Sequence, residues 1–233
     1  MDEVFEKLNR IELTDITLFG FTFKFSNTLL CVWVSAFILL ILAYLSVSNL
    51  KERPGKAQVI AEMLAGFVRG MCRDSIGEHH FGGYVAYIGT LLSFLVICNI
   101  LAVLNFIPGV NLYPPTKDIN VTLPLAVMTL LIVLYSTFRY KGPLGTLKDL
   151  FKPLSIMFPF KLMEYVTKPL SLCLRLFGNV VAGFLIMELI FHFLPPAAAP
   201  FSAYFDLFDG ILQAYIFAFL TCLYVGEAVE TAD

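Results

Sequence analysis

Apolar residues run in long blocks along this chain, broken by short clusters of charge, proline and glycine. Five blocks reach the length a helix needs to cross a hydrocarbon core of about 30 Å. They lie at roughly 28–48, 84–107, 121–138, 170–194 and 207–226. The last two are joined by LPPAAAPFSAYF, whose prolines favour a sharp break and hence a hairpin. A sixth stretch, AQVIAEMLAGFVRGMC at 57–72, is too short to span once its flanking charges are counted, and predicts an amphipathic helix lying at the membrane surface. Segment 142–163 mixes Gly, Pro and basic residues and predicts a loop with one short helix. There is no internal repeat. The expected fold class is an all-α polytopic membrane protein of about five membrane helices. Residues 1–27 are expected as an extracytoplasmic N-terminal tail and 28–233 as a single membrane domain.

Composition agrees. The 233 residues are 58% hydrophobic and 15% charged, with a mean hydropathy of +0.80, where a soluble domain carries about 25% charged residues. A net charge of −2 gives no reason to expect nucleic acid as a partner. No two of the five cysteines, Cys31, Cys72, Cys98, Cys173 and Cys222, stand at C-x-x-C spacing. They read as small buried apolar residues, with no disulfide, metal or cofactor expected. His79 and His80 read as surface residues. The acidic start MDEVFEKLNRIELTD lacks the basic region of a cleaved secretory signal.

Basic residues set the orientation. Segment 49–83 holds Lys51, Arg53, Lys56, Arg69 and Arg73, and segment 139–168 holds Arg139, Lys141, Lys148, Lys152, Lys161 and Lys168. Loop 108–120 has only Lys117, and loop 195–206 has none. The two basic segments are therefore expected in the cytoplasm, with the N-terminus outside, the C-terminus cytoplasmic and the chain in the cell membrane.

Against this apolar background, a few polar residues stand out. Arg175 lies inside the fourth span, where an arginine costs about 2.5–3.5 kcal/mol on insertion scales and cannot lose its proton. On a helix, Ser171, Arg175 and Asn179 share one stripe, with the small residues Gly178 and Ala182 beside them. In a hairpin, Gln213 falls near the depth of Arg175 and can accept a hydrogen bond from the guanidinium. Asn99 and Asn105 are span amides of the kind that pair across helices or line a wet cavity. The other polar groups gather at two depths. The outer set is Asn105, Asp118, Asn120, Glu188, Asp206 and Asp209; the inner set is Glu164, Lys168, Ser171, Tyr224 and Glu227. Two half-channels separated by a fixed positive charge fit this pattern. Simpler readings stand beside it: Arg175 snorkelling to the cytoplasm, Glu188 as a packed neutral carboxyl, Asp206 and Asp209 as helix-start acids, Glu227 as part of a solvated tail.

The block KPLSLCLRLFGNVVAG resembles the signature of subunit a of the F-type ATP synthase, the membrane stator beside the ring of c subunits. LQAYIFAFLTCLYVGEAVE resembles that family's last helix, ERPGKAQVIAEMLAGFV its first cytoplasmic segment and DINVTLPLA its third span. The resemblance implies that the last two spans form a long tilted hairpin against the c ring. It implies that Arg175 is the stator arginine, Asn179 its neighbour on the ring face and Gln213 the partner on the final helix, and that Ser171, Tyr224 and Asp118 match polar positions of the pattern. As partners it implies the c ring, the subunit b peripheral stalk, the remaining ATP synthase subunits and membrane lipid. The chain itself would be non-catalytic and would pass H⁺ or Na⁺. Three positions depart from the pattern. Phe184 stands where many members carry a Glu or His after the AG pair, Asp206 takes a place often held by His or an acid, and Asn105 stands where some members carry an acid. The resemblance therefore points to Glu188, one turn beyond Phe184, as the outer relay. The competing class, a secondary transporter binding an anion at Arg175, finds no inverted repeat.

Overall fold

A computed structural model of the chain describes residues 12–18, 21–48, 55–103, 115–150, 158–193 and 204–230. Six helices form the body of the molecule: α1 Asn27–Ser48, α2 Lys56–Ile76, α3 Val85–Val103, α4 Ile119–Leu150, α5 Phe158–Phe193 and α6 Gly210–Glu230. Part of the expected N-terminal tail is regular. Strand β1, Glu12–Leu18, pairs antiparallel with β2, Phe21–Ser26, setting Leu18 opposite Phe21 and Thr17 opposite Thr22. The alternation of Phe21, Phe23 and Phe25 with Thr22, Lys24 and Ser26 is a period-2 signal that a search for membrane spans passes over.

Among the described residues, four stretches are long and apolar enough to cross a membrane: Thr28–Ser48, Ile119–Gly142, Met163–Met187 and Leu207–Val229, with Val85–Leu101 a shorter apolar helix. Each coincides with one of the five predicted spans, but three boundaries move. α4 runs on to Leu150 past a kink at Gly142, whose φ of 69° is a left-handed conformation open to glycine. Much of the expected loop is thus helix. α5 begins at Phe158, so Pro169 sits inside it and does not start it. A proline there removes one backbone donor, a loss that neighbouring helices make tolerable in membrane bundles. A π-helical turn at Tyr204–Asp209 precedes α6.

The expectation for 57–72 also changes. α2 is longer, and its second half buries one face in the bundle. Val68, Met71, Cys72 and Ile76 are buried, while Val59, Ile60, Met63 and Leu64 in the first half remain exposed. Charges at Arg69, Arg73 and Asp74 mask this burial in the sequence. α2 runs alongside α6 in the same direction: Phe67 meets Tyr215 with ring centroids 5.8 Å apart, and Cys72 Sγ lies 3.8 Å from Cys222 Sγ. Near the C-terminal end of α6, a side chain at Gly226 would run into the Ser75 carbonyl oxygen, so glycine alone permits this backbone approach.

α6 is the centre of the bundle and packs on α2, α3, α4 and α5. Its buried Phe217, Ala218 and Val225 meet Leu91 and Leu95 of α3, Ala126 and Val133 of α4, and Leu172 and Leu176 of α5 in one core. α1 packs chiefly on α3 and leaves Trp33, Phe37, Leu40 and Tyr44 exposed, an apolar surface suited to lipid tails. All five cysteines are buried, and none forms a disulfide among the described residues.

Candidate functional site

The site is built on the antiparallel α5–α6 hairpin. Two contacts fix its register: Lys168 Nζ lies 2.8 Å from Glu227 Oε2, and Asn179 Nδ2 donates to Gln213 Oε1 at 3.5 Å. α5 has two faces. Leu172, Cys173 and Leu176 point into the core and are at most 1% exposed. The other face carries Met163, Leu170, Leu174 and Leu185, all exposed, and Ser171, Arg175 and Gly178 stand exposed along it. Among the described residues, Arg175 makes no hydrogen bond or ion pair. Ile211, Tyr215 and Leu223 of α6 and Leu207 of the π-helical turn are exposed too. The open face of α5 is thus apolar with the permanent charge of Arg175 in it.

Gln213 does not accept from the guanidinium. It is 3% exposed, its Oε1 takes the long bond from Asn179, and its Nε2 has no partner among the described residues. The hairpin brings Gln213 to Asn179, one turn beyond Arg175, while Arg175 stays on the open face.

The inner residues come together. Lys168 Nζ lies 2.7 Å from Glu164 Oε1, one turn back on α5, as well as reaching Glu227 across the hairpin. It also stands 5.4 Å from the centroid of the Tyr224 ring. Ser171 is the next polar residue along α5 toward Arg175. Glu227 is thus half of an ion pair between helices, not a free tail residue.

The outer residues are only partly described. Asp118 Oδ1 accepts from Asn120 backbone N at 3.0 Å and from its Nδ2 at 2.7 Å. Backbone N–H groups of Val121 and Thr122 bond to the Asp118 carbonyl as α4 begins. Asp209 is half-buried at the end of the π-helical turn. Asn105 lies outside the described residues. For Glu188 and Asp206 only the backbone is described, in α5 and in the turn. Asn99, flagged as a span amide, bonds Thr116 and Gly210 at this end. Thr116 escapes a sequence reading, because a threonine in a loop gives no signal of its own.

No cluster of metal ligands occurs among the described residues. His80 packs edge-on against Tyr140, with centroids 4.7 Å apart. Outside the spans, Arg73 pairs with Glu78 through a hydrogen bond and holds its carboxyl below the ordinary range. Both groups are well exposed, so the pair belongs to the surface at the end of α2.

The arrangement offers a fixed cation on an open apolar face, with a charged cluster toward one end and carboxylates toward the other. Comparison with known proteins agrees with it. A family model described as ATP synthase A chain matches residues 29–226. The chain is 33% identical over 223 residues to the sodium ion specific ATP synthase subunit a of Propionigenium modestum, a match that takes in 91% of this chain and 76% of that protein.

Proposed function

Because the chain belongs to the ATP synthase A chain family, we propose that the open face of α5 and α6 is its ring face and that Arg175 separates two ion half-channels there. The chain is a non-catalytic, multi-pass membrane subunit of the ATP synthase complex, in which it works against the ring of c subunits. The observation that carries the residue-level reading is Arg175, exposed within an apolar span and without a partner among the described residues.

A ring carboxyl can face lipid when neutral but not when ionised, since burying a bare charge costs several kcal/mol. Arg175 gives the ionised form a partner as it passes and favours release of its ion to one side. The same charge repels cations, so ions cannot cross directly and must ride the ring. Crossing 100 mV supplies about 2.3 kcal/mol per charge, so the Arg175–carboxylate pair has to be weak enough to part.

Lys168, Glu164, Glu227, Tyr224 and Ser171 form the inner half-channel. Asn105, Asp118, Asn120, Glu188, Asp206 and Asp209 form the outer one, with Glu188 taking the part for which Phe184 is unsuited. The relative's name specifies sodium, so the coupling ion of this chain is Na⁺ or H⁺. The N-terminus lies outside the cell membrane, the C-terminus in the cytoplasm, and subunit b of the peripheral stalk packs on the chain. The transporter reading has no observation in its favour. In membrane vesicles, Arg175→Ala and Arg175→Lys complexes should assemble and make no ATP from an imposed gradient, since an ammonium lacks the planar fork. Near-normal synthesis by Arg175→Ala overturns the assignment.

A further inference from the structure

One buried amide ties together the segments that carry the outer acids. Asn99 of α3 is 4% exposed. Its Nδ2 donates to the Gly210 carbonyl at 2.7 Å, and its Oδ1 accepts from Thr116 Oγ1 at 3.1 Å. A carbonyl can only accept, so the Gly210 bond fixes which end of the amide is which. Thr116 is 1% exposed. The approach is close: a Cβ on Gly210 would lie 2.9 Å from Asn99 Cβ, leaving no room for a side chain.

The two partners are the ends of two different segments. Thr116 belongs to the short 3₁₀ turn Pro115–Lys117, and Asp118 follows it. Gly210 opens α6 directly after the turn Tyr204–Asp209, which holds Asp206 and Asp209. We propose that Asn99 is the positioning residue of the outer half-channel: through Thr116 and Gly210 it holds the Asp118 segment and the Asp206–Asp209 turn in register, and this register sets the affinity for ions entering from outside. The inference rests on the half-channel reading given above. Asn99 acts through its two partners and meets no ion itself.

The inner end provides the internal control. Its charged cluster is held by Lys168, on other helices and without Asn99. Loss of the staple should therefore act on one side only.

The test uses the whole ATP synthase complex in proteoliposomes with its ATP-synthesising face outward, so that the outer half-channel opens to the lumen. Synthesis is measured against lumenal Na⁺ at fixed pH, and against lumenal pH without Na⁺. ATP-driven uptake is measured against the external concentrations of the same ions. Asn99→Ala should raise the lumenal ion concentration for half-maximal synthesis about tenfold, the scale of one lost buried hydrogen bond. The external half-maximum should stay within about twofold. Thr116→Val should shift the lumenal value the same way by a smaller factor, and Thr116→Ser, which keeps the hydroxyl, should restore it. Equal shifts on both sides, a lower rate with no lumenal shift, or a Thr116→Ser complex no better than Thr116→Val each overturn the proposal. So does failure of both the Asn99 and the Thr116→Val complexes to assemble, which makes the amide a folding element. Synthesis surviving in Arg175→Ala complexes would instead strike the half-channel reading itself.

Discussion

Arg175 and Leu176 are neighbours in the chain and opposites in the molecule. Leu176 is fully buried among the residues of α4, α5 and α6. Arg175 stands on the open face, with Leu174 beside it 53% exposed. In lipid, an exposed leucine is at home and needs no explanation. An exposed arginine at membrane depth does, because its charge is costly there. The packed face of α5 is thus finished within the subunit, while the open face is complete only against something that supplies a negative charge. Changes on the packed face should damage assembly; loss of the charge on the open face should damage coupling and leave assembly alone.

The largest effect expected is on the packed side. Gly226→Leu places a side chain on the Ser75 carbonyl and should leave almost no assembled subunit in the membrane, read by immunoblot of purified complexes. Normal assembly would mean that α2 and α6 do not meet there. Leu176→Ala should cost about 2–5 kcal/mol of stability, lowering the thermal midpoint of the purified complex while the surviving complexes stay coupled. A coupling defect at unchanged stability would erase the distinction between the faces.

On the channel side the effects turn from stability to coupling. Glu188→Ala should cut ion-driven synthesis about a hundredfold or more, the usual range for a positioned proton-transfer group. Adding Phe184→Glu, one turn earlier on α5, should recover a good part of it. A silent Glu188→Ala, or no recovery in normally assembled double variants, removes Glu188 from the relay. Leu174→Ala gives the smallest effect, within about 0.5 kcal/mol of stability and without loss of synthesis. A large effect there would show that the apolar surface around Arg175 matters as much as its charge.

Much of this was legible in the sequence because membrane helices are written as long apolar runs. The approximate places of the apolar helices and the shared face of Ser171 and Arg175 follow from length and helical period. What escaped depended on partners. Burial of Val68 and Cys72 is hidden among the charges of α2 and appears only when α6 is set beside it. Helix ahead of Pro169 contradicts a local rule that holds better in water than in a bundle. Lys168 meets Glu227 from 59 positions away, which no pattern along one helix reveals. The expected bond from Arg175 to Gln213 failed for a related reason: depth can be read from a sequence, but the direction of a side chain across a hairpin cannot.

The central claim is that the charge of Arg175 bars direct passage between the two half-channels. The most direct measurement is passive ion flux through complexes whose ring is cross-linked to the stator so that it cannot turn. Complexes with Arg175 intact should hold an imposed Na⁺ or H⁺ gradient. Arg175→Ala complexes should dissipate it about a hundredfold faster or more, because repulsion between like charges near 4 Å is worth about 4 kcal/mol at an effective dielectric of 20. Gradients held equally well by both would contradict the account.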